Sequence, residues 1–223
     1  MIFMRDKLFT VVCNIRTPDG NGNELIGTGS FIVKNNKVYL LTASHVSKDT
    51  NNNSYIVLSD NQSNPIRILL NSLTKNHFWK EHPIADNKYP KVFQNRCFPF
   101  EQVNNSFICA SRDDELTSIG FPNGLGIQGK FSPLTFRSYA SSAFLTLNRA
   151  DTDTPSDFFC LENPSVGGYS GGPVFDLGYE TMGSSMSSKG GTILHGIVHG
   201  TMSDNTGGKI AMITPMYYIN DLI

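Results

Sequence analysis

Two short segments carry the residue types that could do covalent chemistry. Gly167-Gly168-Tyr169-Ser170-Gly171-Gly172-Pro173 holds a serine among glycines, and Leu41-Thr42-Ala43-Ser44-His45-Val46 presents a histidine about 125 residues earlier. A serine hydroxyl is a poor nucleophile until a neighbouring imidazole takes its proton. Glycines let the backbone turn sharply and aim N–H groups at the oxygen that becomes negative during acyl transfer. The pair therefore predicts acyl-transfer chemistry, with Ser170 as nucleophile and His45 as its base.

The same glycines also satisfy Gly-x-Ser-x-Gly, the turn that opens a helix after the nucleophile in α/β-hydrolases. Here Gly171, Gly172 and Pro173 follow the serine and lead into the strand formers Val174 and Phe175. Two glycines cost a helix about 2 kcal/mol relative to alanine, and an interior proline roughly 3 more. The segment reads as a loop entering a strand. The histidine also precedes the serine, whereas that fold places acid and base after it.

A metal site is not predicted. His195 and His199 stand four apart, a zinc spacing on a helix. Gly196, Gly200 and the β-branched run between the histidines make the segment a strand, so the spacing loses that meaning. His77 and His82 lie in a loop near Trp79.

The elements that must position these residues are short strands. Runs at Leu8–Ile15, Gly29–Val33, Val38–Thr42, Tyr55–Leu58 and Ile66–Leu70 alternate with Pro18-Asp19-Gly20, Asn35-Asn36 and Asn51-Asn52-Asn53 turn signals. The second half repeats the pattern at Ser118–Phe121, Leu134–Tyr139, Phe144–Leu147, Phe158–Leu161, Pro173–Phe175, Thr192–Val198 and Ile210–Thr214. Thr214 and Pro215 suit the start of a C-terminal helix through Leu222. Tyr179 to Gly191, polar and rich in Gly and Ser, is expected as a mobile loop near the site. The pattern predicts an all-β protein divided in the loop-rich stretch from Asn104 to Asp114.

With 223 residues, 39% of them hydrophobic, and a net charge of −1, the balance is that of a soluble globular chain, with no electrostatic case for nucleic acid or an anionic membrane. No apolar run approaches the roughly 18 residues that a spanning helix needs. Met1-Ile2-Phe3-Met4 breaks into charges too early for a secretory signal. Cys13, Cys97, Cys109 and Cys160 sit beside aliphatic or aromatic residues and read as reduced, buried thiols. A cytoplasmic protein is the expectation.

The chain resembles the trypsin/chymotrypsin-like serine peptidases, particularly their compact bacterial, HtrA-like branch without disulfides. Leu41-Thr42-Ala43-Ser44-His45 is similar to the family's histidine motif, and Gly168-Tyr169-Ser170-Gly171-Gly172-Pro173 to its serine motif. Gly27-Thr28-Gly29-Ser30-Phe31-Ile32, Ile119-Gly120-Phe121-Pro122 and Gly196-Ile197-Val198 resemble supporting segments in the same order. The resemblance implies two perpendicular six-stranded antiparallel β-barrels, taken here as residues 1–110 with the histidine and acid and 111–223 with the serine and pocket.

It also implies the remaining site residues. Asp86, in His82-Pro83-Ile84-Ala85-Asp86, would be the acid that orients His45, with Asp60, Asp113 and Asp114 as alternatives. The N–H groups of Gly168 and Ser170 would form the oxyanion hole. Pro164, His199, Gly200 and Thr201 would line the substrate pocket, with no aspartate at its base to attract Lys or Arg. Tyr169 stands where the secreted branch has an aspartate that pairs with a newly cut N-terminus, so activation by N-terminal trimming is not expected.

A serine endopeptidase is the expected function. It would use no cofactor, take a protein or peptide as substrate, and admit an activating partner protein. A catalytically latent peptide-binding or regulatory module on the same fold is the alternative, and a small-ester hydrolase is chemically adjacent.

Overall fold

The computed structural model describes residues 1–73, 95–149, 152–203 and 205–223. Strands dominate, as the alternation predicts, and among the described residues they form two main sheets whose pairings are antiparallel with one exception. The first sheet holds β1 (Val12–Pro18), β2 (Glu24–Lys34), β3 (Lys37–Leu41), β4 (Tyr55–Ser59) and β5 (Pro65–Leu69) in the order β3-β2-β1-β4-β5. A short β6 (Phe98–Pro99) adds to β2 in parallel.

The second sheet is built from β7 (Glu115–Gly120), β8 (Leu134–Tyr139), β9 (Leu145–Asn148), β10 (Pro155–Leu161), β11 (Pro173–Asp176), β14 (Ile193–Ser203) and β15 (Lys209–Pro215). Their order is β8-β7-β11-β14-β15-β10-β9. Ladder pairings among the described residues thus run as open paths, with seven strands in the second sheet, where closed six-stranded barrels were expected.

Other differences have local causes. Leu8 is not in a strand: α1 (Arg5–Leu8) and a 3₁₀ turn at Phe9–Val11 precede β1 and bury Leu8 and Val11. The expected loop at Tyr179–Gly191 contains a hairpin of β12 (Tyr179–Met182) and β13 (Ser185–Ser188), which is paired only within itself and mostly exposed. A two-stranded ribbon with no apolar face gives no alternation to read. The C-terminal helix is a 3₁₀ segment, Met216–Asp221, and Thr214 and Pro215 belong to β15.

Burial divides into two clusters. One joins Ile15, Phe31, Ile56, Leu58 and Phe98 of the first sheet to Phe121, Phe175 and Leu194, so side chains from both halves share a core. The other packs Leu116, Phe159, Tyr169, Val174, Val198 and Ile213 within the second half. Each large apolar side chain buried this way is worth about 1.5–3 kcal/mol relative to exposure. The histidine segment contributes Ala43 and Val46 to the first cluster, and the serine turn contributes Tyr169 to the second.

Candidate active site

The histidine is delivered by a tight hairpin. Asn35 and Asn36 have φ of 49° and 60°, the left-handed pair that a two-residue turn between twisted strands requires. Register follows from that turn, pairing Lys34 with Lys37 and Ser30 with Leu41. The chain leaves β3 at Thr42, whose Oγ1 donates to the Thr28 carbonyl at 2.7 Å. It then enters α2 (Ser44–Lys48), a single turn carrying His45. Five residues are too few to show helical periodicity, which is why this turn is invisible in the sequence pattern.

The serine lies in the turn between β10 and β11, where four consecutive carbonyls are each pinned. Gly167 O accepts the Asn123 N–H at 2.7 Å, and Gly168 O the Thr28 hydroxyl at 2.6 Å. Tyr169 O accepts the Gly172 N–H at 2.7 Å, and Ser170 O the Thr28 N–H at 2.8 Å. A trans peptide points its N–H opposite to its C=O. Pinning Gly167 O and Tyr169 O therefore turns the Gly168 and Ser170 N–H groups the other way. Neither N–H donates to an acceptor among the described residues.

Two glycines make this turn possible. Gly168 has φ +98°, and a Cβ there would collide with the Phe121 carbonyl oxygen. Gly171 has φ +84°, and its Cβ would collide with the Thr28 carbonyl and the Thr42 hydroxyl. Gly171 is thus the point where the serine turn lies directly on the histidine segment. Tyr169, between them, is fully buried and stacked on Phe136 with ring centroids 4.8 Å apart. Burial pushes its phenol far above the ordinary value.

A cleft of about 380 Å³ opens beside the turn, lined by His45, Ser170, His199, Gly200, Thr201, Asn148, Met202 and Met212. Its described lining contains imidazoles but no Asp, Glu, Lys or Arg. His199 occupies a bulge in β14: Val198 pairs with Ile213 and Gly200 with Met212, which leaves His199 out of register. Its carbonyl is thereby available to the Ser170 hydroxyl, which donates to it at 3.2 Å. The His199 ring is buried, packs edge-on against His45 at 5.5 Å and 86°, and lies 5.0 Å from Phe158.

Sequence reasoning located part of this lining. His45, Ser170, His199, Gly200 and Thr201 come together in the cleft. Pro164 is exposed and is not among the described lining residues, whereas its neighbour Ser165 reaches the wall through a 2.7 Å hydroxyl–hydroxyl hydrogen bond with Thr201. Asp86, His77 and His82 lie outside the described residues. Asp60 turns its carboxylate into its own loop, accepting from the Gln62 and Asn64 N–H groups and the Asn64 amide. Asp114 lines a different groove with Asp176 and His195, and His195 there contacts the Asn104 amide. The sequence held no signal for Asn148, Met202, Met212 or Asn123, whose roles depend on long-range pairing. All four cysteines are free thiols, and burial pushes Cys97 up to about 12 and Cys13 higher still.

Comparison with known proteins agrees with this geometry. The family model described as "Trypsin-like peptidase domain" matches residues 27–183, a span that includes both motif segments. Among solved structures, an HtrA-type protease, AlgW, with a tripeptide superposes with a TM-score of 0.56 at 17% identity, covering 97% of this chain and 60% of that one. This chain therefore spans under two thirds of the length of that neighbour. The Rv3671c protease of M. tuberculosis in its active form gives a TM-score of 0.53 at 17% identity, with 97% and 81% coverage. Its inactive form gives the same score and identity, with 97% and 86% coverage. No curated protein sequence matches. No helix among the described residues is long and apolar enough to cross a membrane. The family match over most of the chain makes the protein a member of the trypsin-like peptidase domain family, and the likenesses to solved structures agree with it in fold.

Proposed function

We propose that the chain is an endopeptidase that cleaves peptide bonds through an acyl-enzyme on Ser170. The observation that carries this reading is one cleft lined by both Ser170 and His45, next to a turn whose Gly168 and Ser170 N–H groups donate to no acceptor among the described residues. His45 takes the Ser170 proton as Oγ attacks the scissile carbonyl carbon. The C–N bond then breaks, and the imidazolium protonates the departing amine. Water, deprotonated by the same imidazole, hydrolyses the ester and regenerates Ser170. The Gly168 and Ser170 N–H groups hold the oxyanion in both halves.

Asp86 is the proposed acid that fixes the His45 tautomer and stabilises the imidazolium. Gly200 and Thr201 would flank the bound peptide, with His199 beneath the catalytic pair. Among its described residues the lining offers no Asp or Glu to a Lys or Arg next to the cut. A peptide substrate also accords with the tripeptide in the AlgW structure.

A fluorophosphonate probe tests the reading, because it reacts only with an activated hydroxyl. Labelling of the parent at Ser170, with loss of both labelling and peptide cleavage in Ser170→Ala, is expected. An unlabelled parent, or a Ser170→Ala variant that cleaves at the parent rate, overturns it.

A further inference from the structure

We infer that Thr28 is a positioning residue through which the first sheet holds the oxyanion turn in its working geometry; this rests on the serine-peptidase reading above. Thr28 lies in β2, fully buried, opposite Asn14 of β1. All of its polar groups are engaged at the junction of the two halves. Its N–H donates to Ser170 O at 2.8 Å, and its carbonyl accepts the Thr42 hydroxyl at 2.7 Å. Its own hydroxyl donates to Gly168 O at 2.6 Å and accepts the Phe121 N–H at 3.2 Å. One residue thus ties the histidine segment, the serine turn and the segment joining β7 to β8.

The hydroxyl matters because of what it holds. Gly167 and Gly168 bring no side-chain sterics to select one orientation of their peptide planes, and glycine visits both signs of φ. External hydrogen bonds must supply the selection. Asn123 N–H pins one plane through Gly167 O, and the Thr28 hydroxyl pins the next through Gly168 O. Phe121, whose N–H the same hydroxyl accepts, also crowds Gly168 with its carbonyl. Removing the hydroxyl leaves Gly168 O and Phe121 N–H without partners in a buried site. The Gly168–Tyr169 peptide plane then keeps only the Tyr169 N–H bond to Val166 O at 3.0 Å, and its rotation turns the adjoining Gly168 N–H, across the Gly168 φ and ψ, away from the developing oxyanion.

Steady-state peptide hydrolysis by the full chain, with Thr28→Val, Thr28→Ser and Thr28→Ala, tests this. Valine keeps the shape and the backbone bonds and loses only the hydroxyl. Loss of a single oxyanion donor costs 10²–10³ in kcat, so displacement of one is expected to cost about 10–100-fold, with KM within about twofold. Thr28→Ser, which retains the hydroxyl, is expected within about threefold of the parent in kcat. If Thr28→Val does not fold by circular dichroism, Thr28→Ala assayed well below its melting temperature carries the same expectation. Parental kcat in either folded hydroxyl-free variant, or an equal loss in Thr28→Ser, overturns the inference and leaves the serine-peptidase reading intact. A parent that neither cleaves peptide nor reacts with the fluorophosphonate probe sinks that reading instead.

Discussion

Gly168 lies so close to Phe121 that a Cβ on the glycine would overlap the Phe121 carbonyl oxygen. The contact joins the turn before Ser170 to the segment leaving β7, and the φ of +98° at Gly168 is one that side chains resist. Gly168→Ala must therefore displace backbone against backbone, with no flexible side chain to yield. The displaced group is one of the two proposed oxyanion donors. A fall in kcat of about 10²–10³ is expected, with KM changed far less. Kinetics alongside circular dichroism check this, and a folded Gly168→Ala variant with parental kcat refutes the assignment of that N–H.

Tyr169 contributes shape and not polarity. Its ring stacks on Phe136 in the core, while its hydroxyl is buried and has no hydrogen-bond partner among the described residues. An unpaired buried hydroxyl carries a desolvation cost with no return. Tyr169→Phe keeps the stack and removes the cost, so stability should rise by up to about 1 kcal/mol. For a chain of this size that is roughly 2–4 °C in melting temperature. Peptide hydrolysis should be unchanged. A drop in melting temperature would mean that the hydroxyl is paired in solution.

How much of this was legible in the sequence follows from the reach of each interaction. The Asn35-Asn36 turn, the strands beside it and the glycine-rich serine loop are encoded over a few residues, and each can be read from local chemistry. Ser170 and His45 are readable because their residue types and flanking glycines or Thr-Ala are unusual together. Thr28 is another matter: the bond from its hydroxyl to Gly168 spans 140 residues, and a threonine in a strand looks like any other β-former. His199 was expected at the cleft, but the bulge that frees its carbonyl depends on how β14 registers with β15. The short α2 turn and the β12–β13 hairpin lack an apolar stripe, so no period announces them.

Glu24 supports the site from further out and gives a pH signature. Its carboxylate accepts the Tyr55 hydroxyl at 2.6 Å and pairs with Arg16 at 2.7 Å. Arg16 also donates to the Gly124 carbonyl at 3.0 Å, next to the Asn123 that pins Gly167. The Tyr55 hydrogen bond, then Arg16, holds the Glu24 carboxyl below its ordinary value of 4.5. A carboxyl depressed in the folded state stabilises fully above that ordinary value, and the benefit disappears as pH falls through the lower folded value. The parent should therefore exceed Glu24→Gln by about 1 kcal/mol at pH 7, a modest figure because the pair is partly solvated. The gap should begin to close below about pH 4.5 and go on shrinking as the pH falls further. Paired urea melts at stepped pH measure it. A gap that persists undiminished at the acid end would show that Gln disturbs packing at Tyr55 and Arg16, and that the ionised hydrogen bonds are not the source.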